Sequence, residues 1–101
     1  MKDFQLIINP FAEEDLKEAK KWYNSQLDNL GDDFLKEVGK TISYIKENPF
    51  QFQKARKQIR MAVVKRFPYS IYFVVNNQTV NVFAVFHSSR NPKIWKKREK
   101  D

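Results

Sequence analysis

The first part of the chain shows a short strand pattern followed by a helical pattern. Residues 3–8 are rich in β-branched and aromatic side chains, which predicts a strand. Asn9-Pro10 predicts a helix start, because asparagine can cap the first turn and proline has no N–H to leave unpaired there. Apolar residues then recur at spacings of three and four, as on one helix face: Ala12, Leu16, Ala19, Tyr23, Leu27 and Leu30.

A second helical pattern follows almost at once. Gly31 is predicted to end the first helix, and Asp32 or Asp33 to begin the second. The apolar spacing repeats at Phe34 or Leu35, Val38, Ile42 and Ile45. Asn48-Pro49 is predicted to end this helix. Two helices joined by so short a turn must lie antiparallel, as a helical hairpin.

The second half of the chain changes to a period of two. Residues 49–57 are predicted to form a loop, with Phe50 and Phe52 anchored in the core. From Gln58 onward alternate residues are predicted to share a face within each of three strands: Ile59, Met61 and Val63; Ile71, Phe73 and Val75; Val80, Val82, Ala84 and Phe86. Asn76-Asn77-Gln78 is a tight turn, because asparagine tolerates positive φ. Consecutive strands with short turns predict an antiparallel meander.

These elements predict an α+β fold. An N-terminal strand precedes the antiparallel helical hairpin, which covers one face of the three-stranded antiparallel meander. A short basic C-terminal tail or helix, from Pro92 to Lys100, carries Trp95. The 101 residues suffice for one domain, so residues 1–101 are expected to form a single unit.

Composition narrows the functional classes. The chain has no cysteine and one histidine, which excludes disulfides, thiolate metal sites and histidine-rich zinc sites. We expect neither a metal nor a cofactor. The longest apolar runs, such as Phe83–Phe86, are far shorter than the about 20 residues of a membrane-spanning helix. The sequence therefore predicts a soluble, cytoplasmic protein without a membrane partner.

Positive charge is concentrated in the second half of the chain. Residues 1–49 hold seven lysines and ten acidic residues, a net charge of −3. Residues 50–101 hold twelve basic and two acidic residues, a net charge of +10. Such asymmetry indicates a polyanionic partner, either nucleic acid or an acidic protein segment. The alternative is a basic surface that only maintains solubility.

His87 is the first candidate for chemistry. It ends the last predicted strand and lies three positions before Arg90. An imidazole can exchange a proton near neutral pH, so His87 could act as a general acid or base. The simpler alternative is a histidine at a strand end that is hydrogen-bonded to the backbone.

Arginines and aromatic residues supply the other candidates. Arg60, Arg66 and Arg90 lie on or beside predicted strands, where their guanidinium groups could converge on phosphate or carboxylate. Tyr69 and Tyr72 are the surface candidates for stacking on nucleic-acid bases. Trp22 and Tyr23, by contrast, are predicted to pack within the helical hairpin.

The order of these elements, with particular residues, resembles the RelE/ParE superfamily of bacterial type II toxins. The residues that carry the resemblance are Asn48-Pro49, Ile59-Arg60, residues 66–72 and 85–92, Trp95 and Arg98. The resemblance covers essentially the whole chain. It implies a small basic toxin encoded beside an acidic or DNA-binding antitoxin, which covers the active surface of the toxin.

The resemblance implies one of two activities. RelE-like members cleave messenger RNA on the ribosome without a metal, and His87 and Arg90 would then be catalytic. ParE-like members bind DNA gyrase and are not expected to be nucleases. Ser70 stands where RelE-type nucleases usually carry an arginine, and Trp95 lies where they carry a tyrosine. His87 followed by Arg90 looks more like the ParE-like pattern.

The sequence therefore favours a ParE-like toxin that acts on gyrase. The residues expected to bind the target or the antitoxin are Arg60, Arg66, Tyr69, Arg90 and Trp95. A ribosome-dependent endoribonuclease is the alternative, and a non-toxic RNA-binding module is a third possibility.

Overall fold

The computed structural model describes residues 4–89, which form two helices and a five-stranded sheet. The elements in chain order are β1 (Gln5–Ile8), α1 (Pro10–Gln26), α2 (Leu30–Glu47), a 3₁₀ helix (Pro49–Gln51), β2 (Lys54–Arg56), β3 (Ile59–Val63), β4 (Tyr69–Asn76) and β5 (Thr79–His87). The predicted α+β order is confirmed. The basic tail with Trp95, and Arg90, lie outside the described residues.

The strand order in the sheet is β1-β5-β4-β3-β2. Strands β3, β4 and β5 form the predicted antiparallel meander. The N-terminal strand β1 runs parallel to β5, and its pairing extends only as far as Ile8 opposite Val82. The segment 49–57, predicted as a loop, instead contains the 3₁₀ helix and the short strand β2, which extends the sheet beyond β3.

The helix boundaries depart from prediction at the end of α1 and at the start of α2, which begins at Leu30 and not at Asp32 or Asp33. The side chain of Asn9 accepts a 3.0 Å hydrogen bond from the Ala12 N–H, as its predicted capping role requires. Helix α1 does not continue to Gly31, however. It ends at Gln26, because Leu27 takes an extended conformation with φ of −158° and ψ of 133°. Asn29 is left-handed, with φ of 67°, and turns the chain into α2 at Leu30.

The main core lies between the helices and one sheet face. Ala12, Ala19 and Tyr23 of α1 and Phe34, Val38 and Ile45 of α2 pack there against Ile71 and Phe73. Phe52 packs against this core as predicted. Phe50 does not, since it is 55% exposed, and its ring meets the Phe4 ring edge to face with 5.9 Å between centroids.

A bulge in β5 changes which side chains face the helices. Tyr72 lies opposite Ala84 but Phe73 lies opposite Val82, so Phe83 is an extra residue in β5. Val80 and Val82 belong to the core beneath the helices, whereas Ala84 and Phe86 belong to a second cluster with Ile59. The prediction that these four β5 residues share a face is therefore wrong, because one extra residue inverts the alternation.

None of the helices within residues 4–89 is both long enough and apolar enough to span a membrane.

Candidate functional site

His87 lies at the end of β5, directly opposite Tyr69 at the start of β4. The two rings meet edge to face, 5.3 Å apart and inclined at 81°. The Nδ1 atom of His87 accepts a 3.1 Å hydrogen bond from the Ser89 N–H, and the Ser89 hydroxyl lies 2.8 Å away. Because a backbone N–H can only donate, the neutral imidazole carries its proton on Nε2. That nitrogen is the one left for contact with a partner.

A cavity of about 220 Å³ opens beside His87, between α1 and the ends of β4 and β5. Its lining residues are Asp15, Glu18, Ala19, Trp22, Tyr69, Val85 and His87. The charged side chains among them are carboxylates, with no lysine or arginine from the described part of the chain. Carboxylates repel phosphate, so these residues do not form a phosphate-binding site around the imidazole.

Trp22 is a site residue that the sequence interpretation missed. It was expected to pack inside the helical hairpin, yet its side chain is 57% exposed and lines the cavity beside His87. Its neighbour Tyr23 is buried, as predicted. The exposure of Trp22 could have been predicted from helical spacing. Trp22 lies four residues after the charged Glu18, on the same helix face, and outside the apolar stripe of Ala12, Ala19 and Tyr23.

Arg60 is occupied by a structural contact. Its Nη1 atom donates a 2.6 Å hydrogen bond to the Phe52 carbonyl, and its guanidinium carbon lies 5.2 Å from the centre of the Phe50 ring. Arg60 is paired with Phe73, four residues along β4 from Tyr69. That spacing is roughly 13 Å along the strand, so Arg60 is far from His87. It joins the segment after α2 to β3.

Arg66 faces helix α2. It lies in the turn between β3 and β4 with φ of 72°, and its Nη1 atom is 3.6 Å from the Glu37 carboxylate. Its guanidinium also lies over the Phe67 ring, 5.5 Å from the centroid. Arg66 thus lines a separate groove of about 400 Å³ between α2 and β3.

The structure therefore places Arg60, Arg66 and His87 in three different surroundings, and pairs only Tyr69 with His87. Arg90 and Trp95 lie outside the described residues.

The two tyrosines proposed for base stacking are both half-buried. The Tyr69 ring packs against Phe34 at 4.9 Å and Tyr23 at 6.0 Å, on the helix side of the sheet. Tyr72 lies on the opposite face, 6.0 Å from the Phe86 ring, and burial raises its pKa above the usual 10.0. Both rings are thus engaged in packing.

Metal coordination finds no support within residues 4–89, where no three histidine, cysteine or acidic side chains come together as a metal site.

Comparison with protein families gives one match over most of the chain. Residues 6–92 match the model described as the ParE toxin of the type II toxin-antitoxin system parDE. No curated protein sequence matches the chain significantly.

Solved toxin structures share the fold. A chain of the chromosomal ParDE toxin-antitoxin system from P. aeruginosa superposes with a TM-score of 0.75 at 14% identity, covering 83% of this chain and 95% of that one. The isolated E. coli RelE toxin superposes with a TM-score of 0.62 at 12% identity, covering 96% and 97%. The archaeal RelE-RelB complex from Pyrococcus horikoshii OT3 gives a TM-score of 0.55 at 9% identity, covering 89% and 100%. At such identities the likeness concerns the fold.

Proposed function

This chain belongs to the ParE toxin family and is the toxin of a type II toxin–antitoxin system, and from that premise we propose that it arrests growth by binding DNA gyrase directly. Its partners would be a cognate antitoxin and the gyrase–DNA complex. A target of this kind places the protein in the cytoplasm. Binding requires no metal and no cofactor from the toxin.

The observation that carries the proposal is the surroundings of His87. A metal-independent ribonuclease needs cations around the scissile phosphate to stabilise its developing charge. Within residues 4–89, the charged side chains at the His87 cavity are instead Asp15 and Glu18. Arg60 bonds to a backbone carbonyl and Arg66 pairs with Glu37. This arrangement favours a contact surface over a catalytic one.

The proposed contact surface is the strand end at His87 together with Trp22 and Tyr69. A few residues carry most of the binding energy of a protein interface, and tryptophan and tyrosine are enriched among them. Trp22 is 57% exposed at the rim of a cavity, where a partner side chain can pack against it. Arg90 and Trp95, which follow this strand end in the sequence, remain part of the proposed contact set.

The test is expression of the chain without its antitoxin in E. coli. We expect growth arrest and accumulation of cleaved DNA–gyrase complexes, both reduced at least about tenfold by Trp22→Ala or His87→Ala, as for interface anchors. Phe50→Ala is the matched control, because its ring is 55% exposed but packs beside Phe4 and Arg60 and not at the His87 cavity. It should remain toxic, and circular dichroism should show every variant folded.

Two other results would replace this proposal. Cuts in messenger RNA linked to codon position, mapped by primer extension, would establish the ribosome-dependent nuclease instead. Absence of growth arrest combined with salt-dependent RNA binding would establish an RNA-binding module.

A further inference from the structure

We propose that the groove between α2 and β3 is the docking site for an acidic segment of the cognate antitoxin. The inference rests on the proposed function, because a growth-arresting toxin requires a partner that neutralises it. The groove is separate from the His87 surface, and its own chemistry identifies the kind of partner that it fits.

The two walls of the groove combine apolar and cationic side chains. Helix α2 supplies Lys40 and Tyr44, which are four residues apart and therefore on one face of the helix. The end of β3 and the following turn supply Val63, Lys65 and Arg66. Tyr44 is 57% exposed and Val63 is 66% exposed, although both are large apolar surfaces. A partner side chain packed between them would remove both from water.

The charge of the groove is positive. Three cations and one carboxylate line it, a net charge of +2. The carboxylate is Glu37, whose side chain is 12% exposed and lies 3.6 Å from Arg66 and 3.7 Å from Lys40. The buried Glu37 carboxylate thus orients both cations, while the side chain of Arg66 remains 58% exposed and that of Lys40 69% exposed. Incoming carboxylates would meet cations that are already oriented.

The backbone at Arg66 decides which substitution can test the groove. With φ of 72° the residue occupies the left-handed region, which asparagine adopts at less cost than most residues do. Arg66→Asn therefore removes the positive charge without straining the turn.

An acidic polypeptide fits the groove better than a nucleic acid does. A polypeptide can place an aliphatic side chain between Tyr44 and Val63 while its carboxylates reach Lys40, Lys65 and Arg66. A polynucleotide carries few aliphatic groups that could pack between Tyr44 and Val63.

The groove and the His87 cavity lie on either side of a buried aromatic cluster. Ring contacts run from His87 to Tyr69, then to Phe34 at 4.9 Å, and from Phe34 to Phe67 at 5.3 Å. Arg66 lies over Phe67 on the far side. The acidic segment would therefore bind at a surface distinct from the one proposed for the target, and this contact would be separate from any by which the antitoxin covers the His87 surface.

The test is isothermal titration of the full-length chain with the protein encoded by the neighbouring reading frame. Arg66→Asn should weaken binding by about tenfold or more, since it removes one charge-assisted contact. Lys57→Asn is the matched control, because Lys57 is also an exposed cation at positive φ (51°), but in the turn between β2 and β3. Its affinity should stay within about twofold of wild type. Both variants should keep the melting temperature or raise it, because asparagine tolerates the left-handed backbone.

Several outcomes would overturn the inference. Equal weakening by Arg66→Asn and Lys57→Asn would show a non-specific charge effect, and unchanged affinity in Arg66→Asn would place the antitoxin elsewhere. A single-stranded RNA oligonucleotide that loses affinity in Arg66→Asn, while the antitoxin does not, would assign the groove to RNA. If the wild-type chain alone fails to arrest growth but Arg66→Asn loses antitoxin binding, the proposed function fails and the docking site stands.

Discussion

The two glycines of this chain have opposite surroundings, although both lie in α2. A Cβ atom on Gly31 would come within 2.3 Å of the Lys20 carbonyl oxygen, and the Gly31 N–H donates a 2.7 Å hydrogen bond to the side chain of Asn24. A Cβ atom on Gly39 would meet nothing within 4 Å. Gly31 is therefore the point where α1 and α2 approach closely, and it does not end a helix as the sequence suggested.

Alanine at these two positions should therefore change stability in opposite directions. Gly31→Ala forces α1 and α2 apart and should lower the free energy of unfolding by about 2 kcal/mol. Gly39→Ala removes backbone freedom from the unfolded chain and should raise it by about 0.5–1 kcal/mol. Urea unfolding measures both. A similar effect from the two substitutions would contradict the close approach at Gly31.

Tyr23 makes the free energy of unfolding depend on pH in the alkaline range. It is 8% exposed among the rings of Phe34, Phe67 and Tyr69, and burial raises its pKa above 10.0. The folded state thus holds the phenol proton more tightly than the unfolded state does. The buried phenol therefore adds to the free energy of unfolding. This contribution is complete below the pKa of tyrosine in the unfolded chain and is lost as pH rises through the pKa of Tyr23 in the folded protein.

Denaturant titrations at increasing pH should therefore show a free energy of unfolding that falls above about pH 10. Tyr23→Phe keeps the ring contacts and should make that fall shallower. Tyr72→Phe should act in the same direction, because burial raises that pKa too. An unchanged slope in both variants would contradict the role of burial.

At the scale of elements, helix α1 supplies a hydrogen-bond acceptor to β5 beyond the point where β1 stops pairing with it. Strand β1 pairs with β5 only as far as Val82. Beyond that point the Val85 N–H donates a 3.0 Å hydrogen bond to the carboxylate of Asp15, which is 7% exposed in the middle of α1. A helix side chain thus takes the place of a missing strand partner, just after the bulge at Phe83.

Asp15→Ala should destabilise the protein by about 1–3 kcal/mol, because it leaves the buried Val85 N–H without this acceptor. Glu14→Ala is the control, since Glu14 is an exposed neighbour on the same helix, and its effect should stay within about 0.5 kcal/mol. Thermal unfolding distinguishes the two. Equal losses would mean that helix charge, and not the contact with Val85, matters.

Element boundaries were predictable where a short segment decides them. Asn9-Pro10 starts α1, and Asn48 ends α2 before Pro49, as expected, because capping and the missing proline N–H act within one turn. The end of α1 was not predictable from Gly31. Helical periodicity continues through Leu27 and Leu30, but the chain is extended at Leu27 and left-handed at Asn29, so the two leucines belong to no common helix.

At the scale of the whole molecule, the division into an acidic and a basic half does not correspond to two separate surfaces. Arg66 of the basic half pairs with Glu37 of the acidic half. Asp15 and Glu18 of the acidic half line the cavity beside His87, from the basic half. Net charge by segment therefore indicated a polyanionic partner but did not locate its surface, because folding brings residues from both halves together.

The sequence by itself determined the class of fold, the order of its main elements and the family. Those properties depend on periodicity, capping and turn residues, whose interactions span a few positions. Only the tertiary structure decided the surroundings of the candidate site. Asp15 and Val85, which are 70 residues apart in sequence, are joined by a hydrogen bond, and Arg66 forms an ion pair with Glu37. One extra residue in β5 determines which sheet face Ala84 and Phe86 occupy. Such contacts depend on strand register and helix packing, which no local pattern encodes.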